Sequence, residues 1–535
     1  MKTSSKFLAM ILAAALLISC ISGAYAAGTT LFPCDEDGYP DLGGVTLTIW
    51  CKMESSYADF IDSNSDMTVV KNLAEKLNVN LEFIQPAVGG EKEGFSTMLN
   101  SGNYPDIIID GYVASNYPGG LTMAYEDGFL VDITDKVTAE TAPHFWALVM
   151  ENDFYAKLAK DDTGRLIGFG KRVSGCDEMT APYTAMVIRK DYLAQTGLDV
   201  PVTIDDWTEM LRAFKAIGVK YPLLLNTSGH YKNNMFSGAW NIDAKNFYLT
   251  EDGSIAYGPT SAEYKEYVKT LALWYSEGLI NPDFGTDTQD DNWTMLANGD
   301  GAACVSHSFK YGACFYEVVE KDNPEMGCVA AQIPKLSEDD DLTHVLARSG
   351  GLGGGMNITA SCQNVDAAIA FIDALYIDEV NYSMQYGIEG LGYTLDENGY
   401  PVLTNAEYNS EATEEEKRGV RLTMLGTHED YDADYIMTAK YCYGAQPEAL
   451  KLYSQCSYDR YINKDWLSFT AEESEILSDV KTDVETYRDE MFMKFVTGVV
   501  DIDAEYDNYV QTITAMGLDQ MQEVYEAAYA RYLTR

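Results

Sequence analysis

The chain has 535 residues, of which 83 are acidic and 37 are basic, so its formal net charge at pH 7 is −46. A charge of this sign and size disfavours nucleic acid and anionic lipid surfaces as partners, because both are polyanions. Hydrophobic residues make up 46% of the chain, which is ample for large buried cores, and the length predicts about three or four domains.

The first residues predict a secretion signal. Lys2 and Lys6 precede an apolar run from Phe7 to Ile18. This run is shorter than the roughly 20 residues that cross a bilayer, and no later stretch is long and uncharged enough to be a second candidate. We therefore expect an exported and soluble mature protein.

Two cleavage sites compete at the end of this signal. Leu17-Ile18-Ser19-Cys20 resembles a bacterial lipobox, which predicts lipid attachment at Cys20 on the outer face of the cytoplasmic membrane. Ala24-Tyr25-Ala26 before Ala27 fits the ordinary small-x-small rule, which predicts a secreted chain without a covalent anchor. We favour lipidation at Cys20. The signal peptide is then 1–19, or 1–26 in the alternative.

An α/β lobe is predicted after a turn-rich segment. Residues 20–42 are small, acidic and rich in turn formers, which predicts a flexible stalk. Val45–Trp50 is β-rich, residues 70–77 repeat apolar side chains at helical spacing, and Leu81–Ile84 is β-rich again. Asp106–Asp110 encloses a short apolar run typical of a buried parallel strand. This order is that of a βαβ unit.

Three long helices are predicted from capping residues and apolar stripes. The first runs from the capping box Thr203-x-x-Asp206 to Gly218, the second occupies residues 261–278, and the third begins at Asn364. Trp207 and Trp274 fall on the apolar stripes of the first two helices, which favours core packing for both.

Two hairpins and one glycine-rich segment lie around these helices. Asp252-Gly253 and Asn398-Gly399 each separate two β-rich runs, which predicts two small antiparallel hairpins. The run Gly350–Gly355 lacks the spacing of a phosphate-binding loop, and we interpret it as a backbone crossing or a close-packed loop.

No catalytic or cofactor motif is present. The chain lacks G-x-S-x-G, H-E-x-x-H and the Walker loop, and its five histidines do not share metal-ligand spacing. The acidic clusters 287–291, 338–341 and 501–507 lack the glycine and the closing glutamate of an EF-hand loop. The ten cysteines form no C-x-x-C motif, so we expect buried thiols with one or two disulfides. We therefore expect no metal and no organic cofactor.

Aromatic side chains supply the first candidate ligand contacts. A sugar presents an apolar CH face ringed by hydroxyls, so its site needs an aromatic platform beside carboxylate, amide or hydroxyl groups. Trp240 lies in an aperiodic, glycine-containing segment, which favours a platform over loop packing. Trp293 precedes the turn into a strand, and His307 follows the end of that strand. Both are further candidates, with core packing and an ordinary exposed histidine as the alternatives.

Residues that follow strands supply the second set of candidates. Open α/β sheets bind ligands outside the carboxyl ends of their strands. That rule selects Glu54, which follows the first strand together with Lys52 and Met53, and it selects Asp110 and Tyr112 after the strand at 106–110. The alternatives are surface-loop residues and a helix cap.

The order of several short motifs resembles the extracellular solute-binding proteins of carbohydrate ABC importers, in particular the large lipoprotein branch of Gram-positive bacteria. Each motif is weak alone, but together they follow one another from about residue 43 to residue 535. The motifs are Tyr104–Ile108, Tyr125–Thr134, Ile188–Leu193, Trp274–Phe284, Tyr386–Gly390, Met516–Leu518 and Ala528–Tyr532.

The resemblance implies a two-lobed α/β fold of the periplasmic-binding-protein type, type II, with a hinge and a ligand cleft between the lobes. By analogy, lobe 1 comprises residues 43–111 and 346–395, and lobe 2 comprises 112–345 and 396–535. The implied function is that of a monomeric, non-enzymatic receptor, which captures a sugar or oligosaccharide and delivers it to the transmembrane subunits of an ABC permease. A secreted carbohydrate-active enzyme or a non-transport polysaccharide-binding protein is the alternative.

Overall fold

The structure of the chain is a computed structural model. It describes residues 28–53, 61–109, 111–118, 120–173, 184–226, 234–307, 311–342, 345, 351–395, 401–403, 443–453, 455–457, 459–462 and 466–535.

The described strands follow one another along the whole chain. They are β1 (Val45–Trp50), β2 (Val79–Ile84), β3 (Ile107–Ile108), β4 (Phe169–Val173), β5 (Thr184–Arg189), β6 (Tyr221–Leu224), β7 (Phe247–Leu249), β8 (Ile255–Tyr257), β9 (Gly301–His307), β10 (Cys328–Ala330), β11 (Gly351–Ile358), β12 (Tyr393–Leu395) and β13 (Pro401–Leu403).

The α-helices alternate with the strands and then dominate the C-terminal part. They are α1 (Thr68–Lys76), α2 (Glu91–Ser101), α3 (Tyr112–Asn116), α4 (Gly120–Glu126), α5 (Pro143–Phe145), α6 (Asp153–Ala159), α7 (Lys190–Thr196), α8 (Ile204–Ala216), α9 (Ala262–Ser276), α10 (Gln289–Asn298), α11 (Val365–Ala374), α12 (Asp378–Tyr386), α13 (Gln446–Tyr453), α14 (Ala471–Val496), α15 (Ile502–Ile513) and α16 (Asp519–Thr534).

The described residues divide into two compact units. The first unit contains residues 28–172 and 352–393, and the second contains residues 173–351 and the described residues from 394 onward. Each unit is therefore built from separate stretches of the chain, and the chain passes between the units more than once, as the family resemblance implies.

The first unit is built on a sheet with the strand order β2-β1-β3-β11-β4. Strand β1 pairs in parallel with both β2 and β3, which confirms the predicted βαβ arrangement. Strand β11 pairs antiparallel with β3 and so closes the parallel part of the sheet. The described glycines of the 350–355 run thus lie in a strand, and the expectation of a loop was wrong. Close packing does occur there, because a Cβ on Gly170 would lie 2.9 Å from the Cβ of Leu352.

Residues 112–172 belong to the first unit and not, as expected, to the second. Their apolar side chains share one buried cluster with Trp50 of β1, so they cannot be separated from that sheet. Local sequence patterns do not reveal such a contact, because its members lie far apart along the chain. The cluster contains Trp50, Phe95, Met98, Ile108, Val113, Ala124, Phe129, Leu130 and Ile167.

The described part of the predicted stalk, residues 28–42, is packed against the first unit. Thr29 is buried and its hydroxyl donates to the carbonyl of Thr141 at 2.6 Å. Tyr39 is also buried and donates to the carboxylate of Glu379 at 2.9 Å. The expectation of flexibility was wrong for these residues, because turn-forming composition indicates the absence of regular structure and not the absence of tertiary contacts.

The second unit contains a sheet with the strand order β10-β5-β9-β6, in which β6 and β9 are parallel. The capping box of Thr203 and Asp206 is present at the start of α8, and the hydroxyl of Ser261 caps α9, so both predicted helices are confirmed. The hairpin β7–β8 is confirmed around Asp252-Gly253. The turn at Asn398-Gly399 lies outside the described residues, although the flanking strands β12 and β13 pair.

Helix α11 forms where it was predicted, but Asn364 does not cap it with its side chain. The helix is held by burial instead, since every residue from Ala367 to Ala374 is buried, including the carboxyl group of Asp373. That carboxyl accepts a hydrogen bond from the backbone N–H of Phe145 at 2.8 Å, so it serves as a distant acceptor for the N-terminal end of α5.

Burial raises the pKa of Asp373 to about 7, although the N–H groups of Phe145 and His144 oppose the shift. Because the folded-state pKa lies above the unfolded value, the native chain binds the extra proton between about pH 4 and pH 7, and stability falls as the pH rises through this window. Asp373→Asn keeps the acceptor and removes the charge. We expect it to raise the free energy of unfolding by about 4 kcal/mol at pH 8 and by little at pH 4, as measured by urea denaturation at both pH values.

Asp366→Asn is the matched control for this experiment, because Asp366 lies on the same helix with its carboxylate exposed beside Lys136. A pH-independent effect of Asp373→Asn, equal to that of the control, would show that Asp373 is already protonated or solvated at pH 8.

Within the described ranges, none of the helices combines the length and the apolar character that a bilayer crossing needs.

Candidate functional site

The carboxyl edge of the first unit's sheet carries an aromatic cluster. Strand β1 ends at Trp50, which is 1% exposed. The ring of Tyr112, at the start of α3, lies 4.2 Å from that of Trp50 and 6.0 Å from that of Phe95. Tyr112 is half-buried, so this edge of the sheet keeps one aromatic side chain partly open to solvent. Glu54 and Asp110, the other predicted contacts at this edge, lie outside the described residues.

The segment that follows β1 is held by a residue that sequence reasoning missed. Asn64 is 1% exposed, and its amide donates to the carbonyl of Lys52 at 3.1 Å and to the thiol of Cys51 at 3.2 Å. Its backbone N–H donates to Gln85 at 3.0 Å. Asn64 therefore fixes the path of the chain as it leaves the sheet. It lies in a short turn without periodicity, so its sequence context gave no signal.

In the second unit, Trp240 ends a 3₁₀ helix formed by Ser237–Trp240. Phe236 directly precedes this 3₁₀ helix and is buried, with its ring edge-on to the rings of Trp207 and Trp274. These contacts anchor the 3₁₀ helix to α8 and α9. Trp240 itself is half-buried, with the centroid of its ring 5.6 Å from that of Tyr267 and an angle of 61° between the two ring planes. Trp240 is thus attached to the core on one side and reaches solvent on the other.

A buried polar network holds the backbone around Trp240. Asp243 is 2% exposed and accepts hydrogen bonds from the N–H groups of Lys245 and Asn246, both at 2.8 Å. Asn234 donates to the carbonyl of Val345 at 2.6 Å and to Asp243 at 3.3 Å. Burial raises the pKa of Asp243, and these N–H donors partly oppose the shift. Because the network is satisfied, the Trp240 segment is preorganised before any ligand arrives.

A pocket of about 730 Å³ opens beside Trp240, and we call it the Trp240 pocket. Its walls combine two aromatic rings with carboxylate, amide and hydroxyl groups, and it contains one arginine. The lining residues are Trp240, Asn241, Ile242, Tyr248, Thr250, Glu251, Asp252, Ser254, Ile255, Ala256, Glu263 and Arg460.

The charged groups of the Trp240 pocket come from three different elements. Glu251 and Asp252 lie in the turn of the β7–β8 hairpin, Glu263 lies in the first turn of α9, and Arg460 approaches from the C-terminal part. The guanidinium carbon of Arg460 lies 5.5 Å from the ring centroid of Tyr248. Burial raises the pKa of Tyr248; the charge of Arg460 opposes the shift, and that of Glu263 adds to it. The carboxylate of Glu263 therefore acts on the same ring.

Of the two remaining candidates of the second unit, Trp293 does not line this pocket. Trp293 is fully buried in α10, with its ring 5.6 Å from that of Tyr311 and perpendicular to it. A ring with no exposed surface has no face to offer a sugar, so Trp293 belongs to the core, and the expectation of a ligand contact is corrected. His307 is the last residue of β9, opposite Thr184. The structure describes its backbone only.

A protein-family model described as "Bacterial extracellular solute-binding protein" matches residues 61–382. The match covers more than half of the chain. The chain belongs to this family. Members of the family are binding proteins, and the family membership confirms the resemblance that the motifs indicated.

Two curated proteins are similar to this chain. The fructooligosaccharide ABC transporter substrate-binding protein FusA of Streptococcus pneumoniae is 22% identical over 464 residues, which are 81% of each chain. Lipoprotein LipO of Bacillus subtilis is 24% identical over 257 residues, which are 44% of this chain and 48% of LipO. The match to LipO thus spans about half of that relative.

Among solved structures, the alginate-binding protein AlgQ2 is similar in fold, with a TM-score of 0.67 and 20% sequence identity over 91% of this chain and 98% of AlgQ2. This likeness confirms the predicted α/β fold of the periplasmic-binding-protein type with two units. At this level of identity it concerns the fold alone.

The lining of the Trp240 pocket could be predicted only in part. The absence of periodicity around Trp240 predicts a ligand platform, and Asp252-Gly253 predicts the hairpin turn. No sequence signal combines these residues with Glu263 and Arg460, since Arg460 is far away along the chain and lies in no motif. Only the tertiary fold brings these side chains together.

Within the residues that the structure describes, no group of three or more His, Cys, Asp or Glu side chains is placed to hold a metal ion. Independence from metal remains a prediction for the whole chain. Chelator treatment followed by calorimetry should leave the melting temperature unchanged, whereas a large drop that calcium reverses would show that the chain holds a structural ion.

The described cysteines include several buried thiols. Cys328, Cys362 and Cys456 are buried and form no disulfide, and burial raises the pKa of both Cys362 and Cys456 to about 12. Burial thus favours the protonated thiol at neutral pH, which disfavours a nucleophilic role for these residues. Cys20 lies outside the described residues.

Proposed function

We propose that the chain is an extracytoplasmic receptor, which captures a sugar or oligosaccharide and delivers it to the permease subunits of an ABC importer. The ligand leaves chemically unchanged. The receptor acts as a monomer, and its contact with the membrane is limited to a lipid anchor.

The observation that carries this proposal is the chemistry of the Trp240 pocket within a solute-binding family member. An aromatic ring beside carboxylate, amide and hydroxyl groups matches the surface of a sugar, which has apolar CH faces and hydroxyl edges. FusA supports the assignment, because a relative that binds a fructooligosaccharide aligns with most of the chain. Trp240 is the proposed platform, and Tyr112, Glu54, Asp110 and His307 remain proposed contacts.

Binding and turnover measurements test the proposal together. A panel of oligosaccharides is screened by thermal shift, where a ligand at 100 times its dissociation constant stabilises the protein by about 2.7 kcal/mol. Binding without release of reducing sugar is the expected result. Sustained release of reducing ends would make the chain a carbohydrate-active enzyme. Uptake is measured with vesicles that contain the permease. If the chain binds a polysaccharide but no such vesicle takes the polysaccharide up, the chain is a non-transport binding protein.

We further propose that the mature chain begins at Cys20 and carries a lipid there. The name of the relative LipO, a lipoprotein, supports this proposal alongside the Leu17–Cys20 motif. Mass spectrometry of the native N-terminus is expected to show an acylated Cys20, and Cys20→Ala should release the protein into the medium. A mature chain that begins at Ala27 would contradict the proposal and indicate ordinary secretion.

A further inference from the structure

The side chains of the Trp240 pocket, and not the fold, determine whether a charged or an uncharged ligand is bound. FusA binds an uncharged fructooligosaccharide, whereas AlgQ2 binds alginate, a polymer of uronic acids, and both are similar to this chain. A uronic acid carries a carboxylate on each sugar ring. A site for such a glycan needs arginine or lysine side chains with donors that are not already engaged.

Among the described residues that line the Trp240 pocket, the basic side chain is that of Arg460, and it already contacts its surroundings. Its Nε donates to the carbonyl of Leu249 at 2.7 Å, and one terminal nitrogen lies 3.9 Å from the carboxylate of Glu251. The N–H of Leu249 in turn donates to the carbonyl of Arg460 at 2.9 Å. Arg460 thus fastens the β7–β8 hairpin to the C-terminal part, and its guanidinium group lies beside the exposed carboxylate of Glu251.

The other charged groups of the pocket are anionic and open to solvent. Glu251, Asp252 and Glu263 are all exposed at the rim. Asp252 is partly engaged, since it accepts from the N–H of Ser254 at 3.1 Å. The acidic excess of the whole chain, −46, adds to the same local field. An approaching anionic glycan therefore meets repulsion from the rim and from the whole protein.

An uncharged glycan finds complementary groups in the same place. Carboxylates accept hydrogen bonds from sugar hydroxyls, and the amide of Asn241 and the hydroxyl of Ser254 can both donate and accept. The hydroxyl of Thr250 donates to Asp252 at 2.5 Å and can still accept, and Trp240 offers an apolar ring. A pocket of about 730 Å³ lies well within the range of about 300–1,000 Å³ for small-molecule sites, which suits more than one sugar ring.

We infer that the Trp240 pocket takes an uncharged, hydroxyl-rich oligosaccharide and excludes uronic-acid glycans. This inference rests on the proposed receptor function and adds the chemical class of its ligand.

Titration calorimetry on the mature chain compares trisaccharides of matched size. Kestose, maltotriose and cellotriose are the neutral probes, and trigalacturonate is the acidic probe. We expect at least one neutral probe to bind at least about tenfold more tightly than trigalacturonate. Raising the salt concentration from about 0.01 M to about 1 M shortens the Debye length from about 30 Å to about 3 Å. Because this weakens the repulsion between the acidic probe and the protein, the difference in affinity between the neutral and acidic probes should become smaller.

Two charge reversals on helix α9 separate the field of the pocket from that of the whole protein. Glu263→Lys places a cation at the pocket rim. It should reduce the ratio of the dissociation constants of the acidic and neutral probes by at least about threefold. Glu266→Lys is the control, because it changes the net charge equally at an exposed position of the same helix but lies outside the lining. Equal effects of the two variants would overturn the assignment of specificity to this pocket.

The remaining outcomes keep the inference and the proposed function apart. Tight binding of trigalacturonate, lost in Trp240→Ala, would overturn the inference and leave the receptor function intact. If neither Trp240→Ala nor Glu263→Gln changes the affinity for a neutral probe, the ligand binds elsewhere. This result would also overturn the inference and leave the receptor function intact. Failure of every glycan in a wider panel to bind would remove the proposed function, and the inference with it.

Discussion

Gly258→Ala is expected to destabilise the second unit by about 3 kcal/mol or more, because a Cβ at this position would overlap the backbone carbonyl oxygen of Asp243. The clash is with backbone, so no side-chain rotation relieves it. The strand β8 and the segment that carries Asp243 would have to separate. Thermal unfolding followed by calorimetry measures the loss.

Gly355→Ala is the matched control, since a Cβ there would meet the nearest neighbour, the carbonyl of Phe169, at 3.6 Å, which is ordinary van der Waals contact. Both substitutions add the same methyl group at a glycine whose φ is not in the left-handed region. If the two variants melt at the same temperature, the close approach of Gly258 to Asp243 is not a constraint on the fold.

The Gly258 variant also tests how the Trp240 pocket is supported. The displaced carbonyl belongs to Asp243, whose carboxylate fixes the turn at Lys245 and Asn246 and contacts Asn234. A shift of this backbone would misplace Trp240 even where the protein remains folded at low temperature. Ligand affinity should therefore fall together with stability, whereas Gly355→Ala should change neither appreciably.

Features that depend on a few neighbouring residues could be predicted from the sequence. A capping box joins residues three apart, so Thr203 and Asp206 predicted the start of α8 correctly, and Asp252-Gly253 predicted the β7–β8 turn for the same reason. The apolar stripe of α9 placed Trp274 in the core, where it is fully buried. In each case the signal lies within one helix or one turn of the chain.

Features that depend on distant partners could not be predicted. The turn-rich segment around Tyr39 is fixed by Glu379, and residues 112–172 join the first unit through contacts with Trp50. Trp293 illustrates the same limit for the site, because a position before a turn does not reveal whether the ring points into the core or into solvent. Its environment is set by Tyr311 on another element.

Trp240→Ala is expected to weaken binding of the best neutral oligosaccharide by about thirtyfold or more, which corresponds to a hot-spot contact of about 2 kcal/mol. The half-buried ring lines the pocket, and removing it takes away the apolar platform for the CH face of the sugar. Part of the ring also covers Tyr267, so a moderate loss of stability accompanies the loss of affinity. Titration calorimetry and unliganded melting curves measure the two effects separately.

Trp274→Ala is the internal control for this pair of effects. Its indole is fully buried, lies edge-on to Phe236 at 5.4 Å and donates to the hydroxyl of Thr208 at 2.9 Å, and it does not line the pocket. Its removal should cost about 3–5 kcal/mol of folding stability, through the cavity and the lost hydrogen bond to Thr208. If Trp240 is a ligand platform, the ratio of affinity loss to stability loss is large for Trp240→Ala and small for Trp274→Ala. Unchanged affinity in Trp240→Ala would remove that residue from the site, because no structural compensation restores a missing aromatic face.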